Sequence, residues 1–317
     1  MDFFHALSGV FSVLAVCLTG LVLDKWRWFP RETRNLLPRL VTCVALPPYL
    51  FFSIVDTLRR EDITDFLIGA VVPFVSILLT FLAACLLAKL FGVSRRRVGL
   101  FCASFATSSA IFIGIPVCDA LFGHAGIPAA LVYYFANALF FWTIGSYLIA
   151  SDASDAGART DTGGRTSPRR LLKNVFSPPF IGFTLGVITA LLSIEPPEFV
   201  MKATQTIGQL TTPMALLYIG ITLSNMRLSM DMFSRDLLLA AVGRLLICPL
   251  ITAAVVLAFG VDGLMGKVFI LQASLPAVLQ AAIMSAHYRT DPEFGTLVIS
   301  LTTVLSVITI PILMCLL

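Results

Sequence analysis

Ten charge-poor apolar runs divide this chain: Phe3–Leu23, Leu40–Val55, Phe66–Ala88, Val98–Cys118, Ile127–Ala150, Val175–Ile194, Ala203–Met226, Leu237–Val261, Val268–Ala286 and Phe294–Leu317. A helix crosses the ~30 Å hydrocarbon core of a bilayer with about 20 apolar residues, and nearly every run reaches that length. The second is short and can borrow Leu36-Leu37-Pro38. Of 317 residues, 58% are hydrophobic and 13% charged, and the mean hydropathy is +0.93. A soluble domain, with about 25% charged residues, could not bury so much apolar surface. The expected fold class is therefore an all-α polytopic membrane protein with ten spans and little chain outside the bilayer. Asp2 is the only charged residue before the first run. A cleaved signal needs a positive n-region and a small-residue cleavage site, so this run is expected to be a span.

Orientation follows from Lys and Arg, which concentrate in cytoplasmic loops. The odd-numbered connections hold 17 of the 22, and the even ones with both termini hold only Arg59, Arg60, Lys202 and Lys267. The remaining one, Arg244, lies inside the eighth run. The bias predicts cytoplasmic odd loops and both termini outside, in the bacterial inner membrane. Arg95-Arg96-Arg97 reads as a topology anchor, with a lipid or nucleic-acid patch as the weaker reading. The net charge of +4 is no nucleic-acid signal in such a chain.

The fifth connection, SDASDAGARTDTGGRTSP from Ser151 to Pro168, has no apolar period and reads as a flexible cytoplasmic linker over 151–174. Five runs lie on each side of it. Five is odd, so two halves of one fold would be inverted, as in many secondary transporters. Faint likeness supports a repeat: VGLFCASF at Val98–Phe105 against VFILQASL at Val268–Leu275, each opening the fourth run of its half.

The fourth run contains TSSAIFIGIP, Thr107–Pro116. Proline lacks an N–H and glycine adds backbone freedom, so the helical ladder should open near Gly114–Pro116. Thr107, Ser108 and Ser109 could satisfy the freed groups. The ninth run has a matching interruption, Gln272-Ala273-Ser274-Leu275-Pro276 and then Gln280. Bare backbone at membrane depth survives only when packed in protein or lining a cavity. Matched breaks in two inverted halves point to a transport site, where helix N-termini offer N–H groups to an anion. The alternative is a pair of ordinary proline kinks.

At these residues the chain resembles a bacterial member of the auxin efflux carrier family, related to the plant auxin carriers and to the bile-acid/sodium symporter-like fold. Gly114-Ile115-Pro116 resembles the family's Asn-x-x-x-x-Gly-x-Pro. Pro213 to Leu223, PMALLYIGITL, is similar to its Pro…Gly-x-x-Leu signature, and Arg244 with Pro249 to its Arg followed by Pro. Gln272–Pro276, Tyr288, Asp291-Pro292, Leu301–Ser306 and Pro311 follow in the family's order. The family's asparagine falls at Ser109, and a second proline of the plant carriers at Ala281. The resemblance implies two inverted five-helix repeats with crossed broken helices four and nine. It implies scaffold helices in 1–56 and 175–226, transport helices in 65–150 and 236–317, and elevator-type movement. It also implies small organic anions as substrates, mono- or dicarboxylates such as malate or malonate. Proton or sodium coupling and a homodimer stay open.

The substrate-binding candidates are Ser108, Ser109, Gly114, Pro116, Asn137, Pro276, Gln280 and Arg244. Arg244 is the only formal charge within a run, about two turns from the cytoplasmic end, so it either meets substrate, snorkels or caps carbonyls. Asn137 either faces the crossing or joins helices. His5, His124 and His287 sit near run ends, and Asp119 or His287 could serve at a rim. No Asp or Glu lies inside a run, which removes the usual carboxylate proton relay. No paired carboxylates, Ser/His set or metal-ligand spacing suggests an enzyme, a metal or a cofactor. Gly266-Lys267 precedes Val268, so the P-loop pattern of a pump fails. A channel or receptor-like membrane protein is the alternative to a transporter.

Overall fold

The computed structural model describes residues 15–30, 32–57, 69–111, 113–155, 178–224, 234–261, 263–288 and 290–316. His5, most of the first run and residues 156–174 of the expected linker lie outside the described residues. Among the described residues every regular element is a helix. Four helices among the described residues are long and apolar enough to cross a membrane: Val71–Phe91, His124–Asp152, Arg235–Ala258 and Pro292–Met314. Shorter apolar helices cover Cys43–Asp56, Ile181–Leu191 and Gly263–Ala273.

Val71–Phe91 shows why such a sequence suits lipid. Leu78, Leu82, Leu86 and Leu90 recur every four residues and form an exposed stripe. The opposite face buries Val72, Ser76, Thr80, Ala84 and Ala88. Large apolar side chains outside and small ones inside reverse the soluble pattern; small residues let helices approach closely in a bilayer. The hydroxyls of Ser76 and Thr80 donate to the carbonyls of Pro73 and Ile77 at 2.9 and 2.8 Å, so their burial leaves no orphan polar atom.

The chain divides into two compact units. The first comprises residues 1–69, 111–132 and 176–226, and the second 70–110, 133–175 and 227–317. In the first, helix Leu46–Thr57 packs against Pro178–Leu191 and Glu198–Gly208. Glycine makes that approach possible: a Cβ on Gly182 would overlap the Pro47 carbonyl, and one on Gly208 would lie 2.8 Å from Tyr49 Cα. Helix Thr211–Ser224 packs against Gly114–Phe122 in the same unit.

The second unit contains α1 (Val71–Phe91), α2 (Val98–Ala106), the later part of α3 (Ile127–Phe140), α4 (Ser146–Asp155), α5 (Arg235–Val242), α6 (Cys248–Ala258), α7 (Gly263–Ala273), α8 (Leu279–Tyr288) and α9 (Pro292–Leu316). A π-helical turn, Phe141–Gly145, joins α3 to α4, and another, Gly243–Ile247, joins α5 to α6. The start of α2 is held by a buried carboxylate. Asp152 accepts from the N–H groups of Gly99 and Leu100, each at 2.9 Å. The segment read from sequence as linker starts at Ser151, but α4 runs on through Asp155. Asp152 satisfies two orphan donors at a helix start, a contact that a polar composition conceals. Nearby, Arg97 reaches Asp236 at 3.3 Å and Asp291 at 3.6 Å, and its guanidinium lies 5.1 Å from the Phe294 ring centre. The arginine run thus includes a side chain that joins the starts of α2, α5 and α9.

Candidate functional site: a crossing of two interrupted helices

The fourth and ninth apolar runs are both interrupted, the fourth earlier than expected from sequence, and in the second unit residues of the two interruptions meet. Helix α2 ends at Ala106, and Thr107 is extended, with φ −109° and ψ 139°. Helix α7 ends at Ala273, and α8 begins at Leu279. Ser109 N–H donates to the Pro276 carbonyl at 2.9 Å, and Val278 N–H to the Thr107 carbonyl at 3.2 Å. Ser108 and Ala277 therefore pair as an isolated antiparallel bridge.

Two side chains secure the crossing. Asn137, on α3, accepts from Ser108 N–H at 3.0 Å and donates from Nδ2 to the Ser108 carbonyl at 2.9 Å. Thr302, on α9, accepts from Ala277 N–H at 3.2 Å and donates to the Val298 carbonyl at 2.7 Å. The N–H groups of Ser108, Ser109, Ala277 and Val278 are thus consumed by the fold. The sequence reading had left the freed N–H groups of the breaks open to an anion; these four are not. What remains unpartnered is side-chain chemistry: Ser104 Oγ and both polar atoms of Gln272, all buried. Ser109 is buried and Gln280, in the first turn of α8, is half-buried.

Gly114 and Pro116 have a different place from the one expected. The ladder opens earlier, after Ala106, and helix resumes over Gly114–Phe122 in the first unit. Pro116 occupies the first turn of that helix, where an N–H would have no intrahelical partner and proline is well tolerated. Pro276, by contrast, lies within the non-helical stretch and supplies the carbonyl that Ser109 meets.

Arg244 is fully buried, in the π-helical turn before α6. Nη1 donates to the Phe105 carbonyl at 2.9 Å and Nη2 to the Ala273 carbonyl. Cys248 Sγ also meets the Phe105 carbonyl, at 3.2 Å. Of the three options left by sequence, snorkelling is removed, and the carbonyls are those just before the two breaks. A cation therefore sits at the crossing itself. Tyr133, also fully buried, turns its hydroxyl toward Arg244 and Ser108. Sequence reasoning assigned no role to Tyr133 or Thr302. Thr302 carries a legible signal, a hydroxyl pair with Thr303 inside an apolar run; Tyr133 carries none. Asp119 and His124, 3.9 Å apart, lie in the first unit with His124 exposed.

A family model described as membrane transport protein matches residues 5–314. An uncharacterised transporter of Methanothermobacter thermautotrophicus is 28% identical over 315 residues, covering 98% of each chain. One from Methanocaldococcus jannaschii is 23% identical over 306 residues, covering 95% of each. A Rhizobium meliloti protein named "Putative malonate transporter" is 26% identical over 297 residues, covering 92% of this chain and 88% of its own.

Proposed function

The chain belongs to the auxin efflux carrier family of membrane transport proteins, and on that premise we propose that it is a secondary transporter of small organic anions, with the crossing as its substrate site. The observation that carries this reading is the antiparallel meeting of Thr107–Ser109 with Pro276–Val278. Non-helical backbone inside an apolar protein is costly unless function keeps it. Beside it along the chain lie the Ser104 hydroxyl and the Gln272 amide, both buried and without a hydrogen-bond partner. A carboxylate suits both features, since charge-assisted hydrogen bonds are the strong ones. Ser109 and Gln280 lie at the same two interruptions in the second unit and complete the proposed site. The name of the malonate relative favours a mono- or dicarboxylate.

The proposed architecture is ten spans in two inverted five-helix repeats. Helices within 1–56 and 175–226 would form the scaffold, and those within 65–150 and 236–317 would carry the substrate in an elevator movement. The linker would be cytoplasmic and both termini outside, in the plasma membrane. No carboxylate lies inside the apolar runs, so a driving proton is not carried by an Asp or Glu within them. The test is uptake by proteoliposomes of purified protein over a panel of mono- and dicarboxylates, with and without proton and sodium gradients. Saturable uptake of at least one carboxylate is expected. Absence of uptake or exchange across the panel would remove the reading. A crosslink joining the two helix groups should stop turnover while leaving binding, and full turnover in crosslinked protein would replace the elevator by a fixed site with gates.

A further inference from the structure

We propose that Arg244 is the positioning residue of the crossing: its guanidinium is the shared C-terminal cap of α2 and α7 and the counter-charge of their two dipoles, so it is not the group that substrate must meet. Each helix ends in unsatisfied carbonyls carrying roughly half a negative charge. In this unit two such ends converge on one side chain, from Phe105 at the end of α2 and Ala273 at the end of α7. Together they amount to about one negative charge, which one guanidinium balances. Without it, two like-signed ends would face each other in a low-dielectric interior.

The chemistry fits arginine rather than lysine. A planar fork reaches two acceptors with two nitrogens at fixed geometry, whereas an ammonium is a point charge on a flexible stem. The burial supports the assignment as well. Arg244 and Asp152 are the only charged residues fully buried among those described, and Asp152 is engaged at the other end of α2 by Gly99 and Leu100. A buried charge needs compensation, and here backbone carbonyls provide it. The approach is set by Gly243, where any Cβ would overlap the Phe105 ring. Cys248, one helical turn on, reaches the same Phe105 carbonyl.

One side chain thereby ties the last residues of two half-helices that the Ser108–Ala277 bridge joins a few residues later. Arg244 acts on substrate through that geometry. An anion entering the crossing meets no bare carbonyl ends, because both are covered.

The test needs no substrate, so its failure would leave the transport reading intact. Hydrogen exchange by mass spectrometry is followed in full-length protein in lipid nanodiscs, for the parent, R244K, R244M and C248A. R244K keeps the charge but cannot span both carbonyls. It is expected to speed exchange about 10-fold or more at Ser109 and Val278 together. Exchange in α1 and α9 and the thermal midpoint should stay near the parent's. R244M should show the same pattern more strongly, and C248A a smaller effect on the Thr107–Ile111 side alone. Parent-like protection of both segments in R244K, loosening of one only, or acceleration spread over the whole unit would each overturn the proposal. R244K is the milder variant and keeps the experiment decisive if R244M does not fold.

Discussion

Asn137 closes on the backbone of Ser108 from both sides, accepting its N–H at 3.0 Å and donating to its carbonyl at 2.9 Å. A primary amide is the side chain that imitates a strand neighbour, with one donor and one acceptor side by side. Asn137→Ala leaves two buried backbone groups unpaired, each worth about 1–3 kcal/mol. The variant should lose roughly 2–5 kcal/mol of stability in detergent unfolding. A loss below about 0.5 kcal/mol would mean that water replaces the amide there and that the pairing is incidental.

Gly243 meets the Phe105 ring so closely that a methyl group has no room. Gly243→Ala should destabilise by about 1–3 kcal/mol through overpacking. Phe105→Leu, which shortens the obstructing ring, should recover part of that loss. Thermal unfolding of both single variants and the double variant closes the cycle. Simple additivity would show that the two residues do not share one contact.

Ser108 Oγ is buried, with the Tyr133 hydroxyl turned toward it. Ser108→Ala is expected to lower stability by no more than about 1 kcal/mol, the worth of one neutral hydrogen bond. If the hydroxyl meets a carboxylate, affinity should fall about 10- to 100-fold, the cost of one charge-assisted hydrogen bond. Gln280→Ala should show a loss of the same order. Pro116→Ala should fold normally and leave the interruption in place, because Pro116 begins a helix and does not end one. Parent-like affinity in both Ser108→Ala and Gln280→Ala would exclude the crossing as the anion site.

Membrane sidedness follows from the loop charges. Ser94 lies beside the arginine run in an odd connection, and Glu198 in an even one; both are exposed. In a background whose native cysteines do not label, Ser94→Cys should resist an impermeant maleimide applied outside cells, and Glu198→Cys should react. The reverse pattern would invert the topology, and labelling of both from outside would end the odd–even scheme.

The apolar runs, the positive bias of the odd connections and the two interruptions are all local properties, and each was legible. Where a helix stops depends on a few neighbouring residues, and Gly114, Pro116 and Pro276 advertise trouble within one or two turns. Even so, the stop itself moved: α2 ends at Ala106, well before Gly114 and Pro116. Extended backbone at Thr107 and Ser108 is tolerated because Asn137 and Val278 supply the lost hydrogen bonds, and neither is near in sequence.

Sequence alone thus determined that this chain is a helical membrane protein with two interrupted apolar runs, since hydrophobicity and backbone restriction act over short range. It could not determine what those breaks touch. A lone arginine in an apolar helix can face lipid headgroups, substrate or carbonyls, and all three are compatible with the same residues around Arg244. Only the fold brings Phe105 and Ala273, the ends of two helices far apart in the chain, to the same guanidinium. The reason is physical: a buried charge is stable only where opposite potential converges, and in this unit that potential comes from two backbone dipoles, which no residue type encodes.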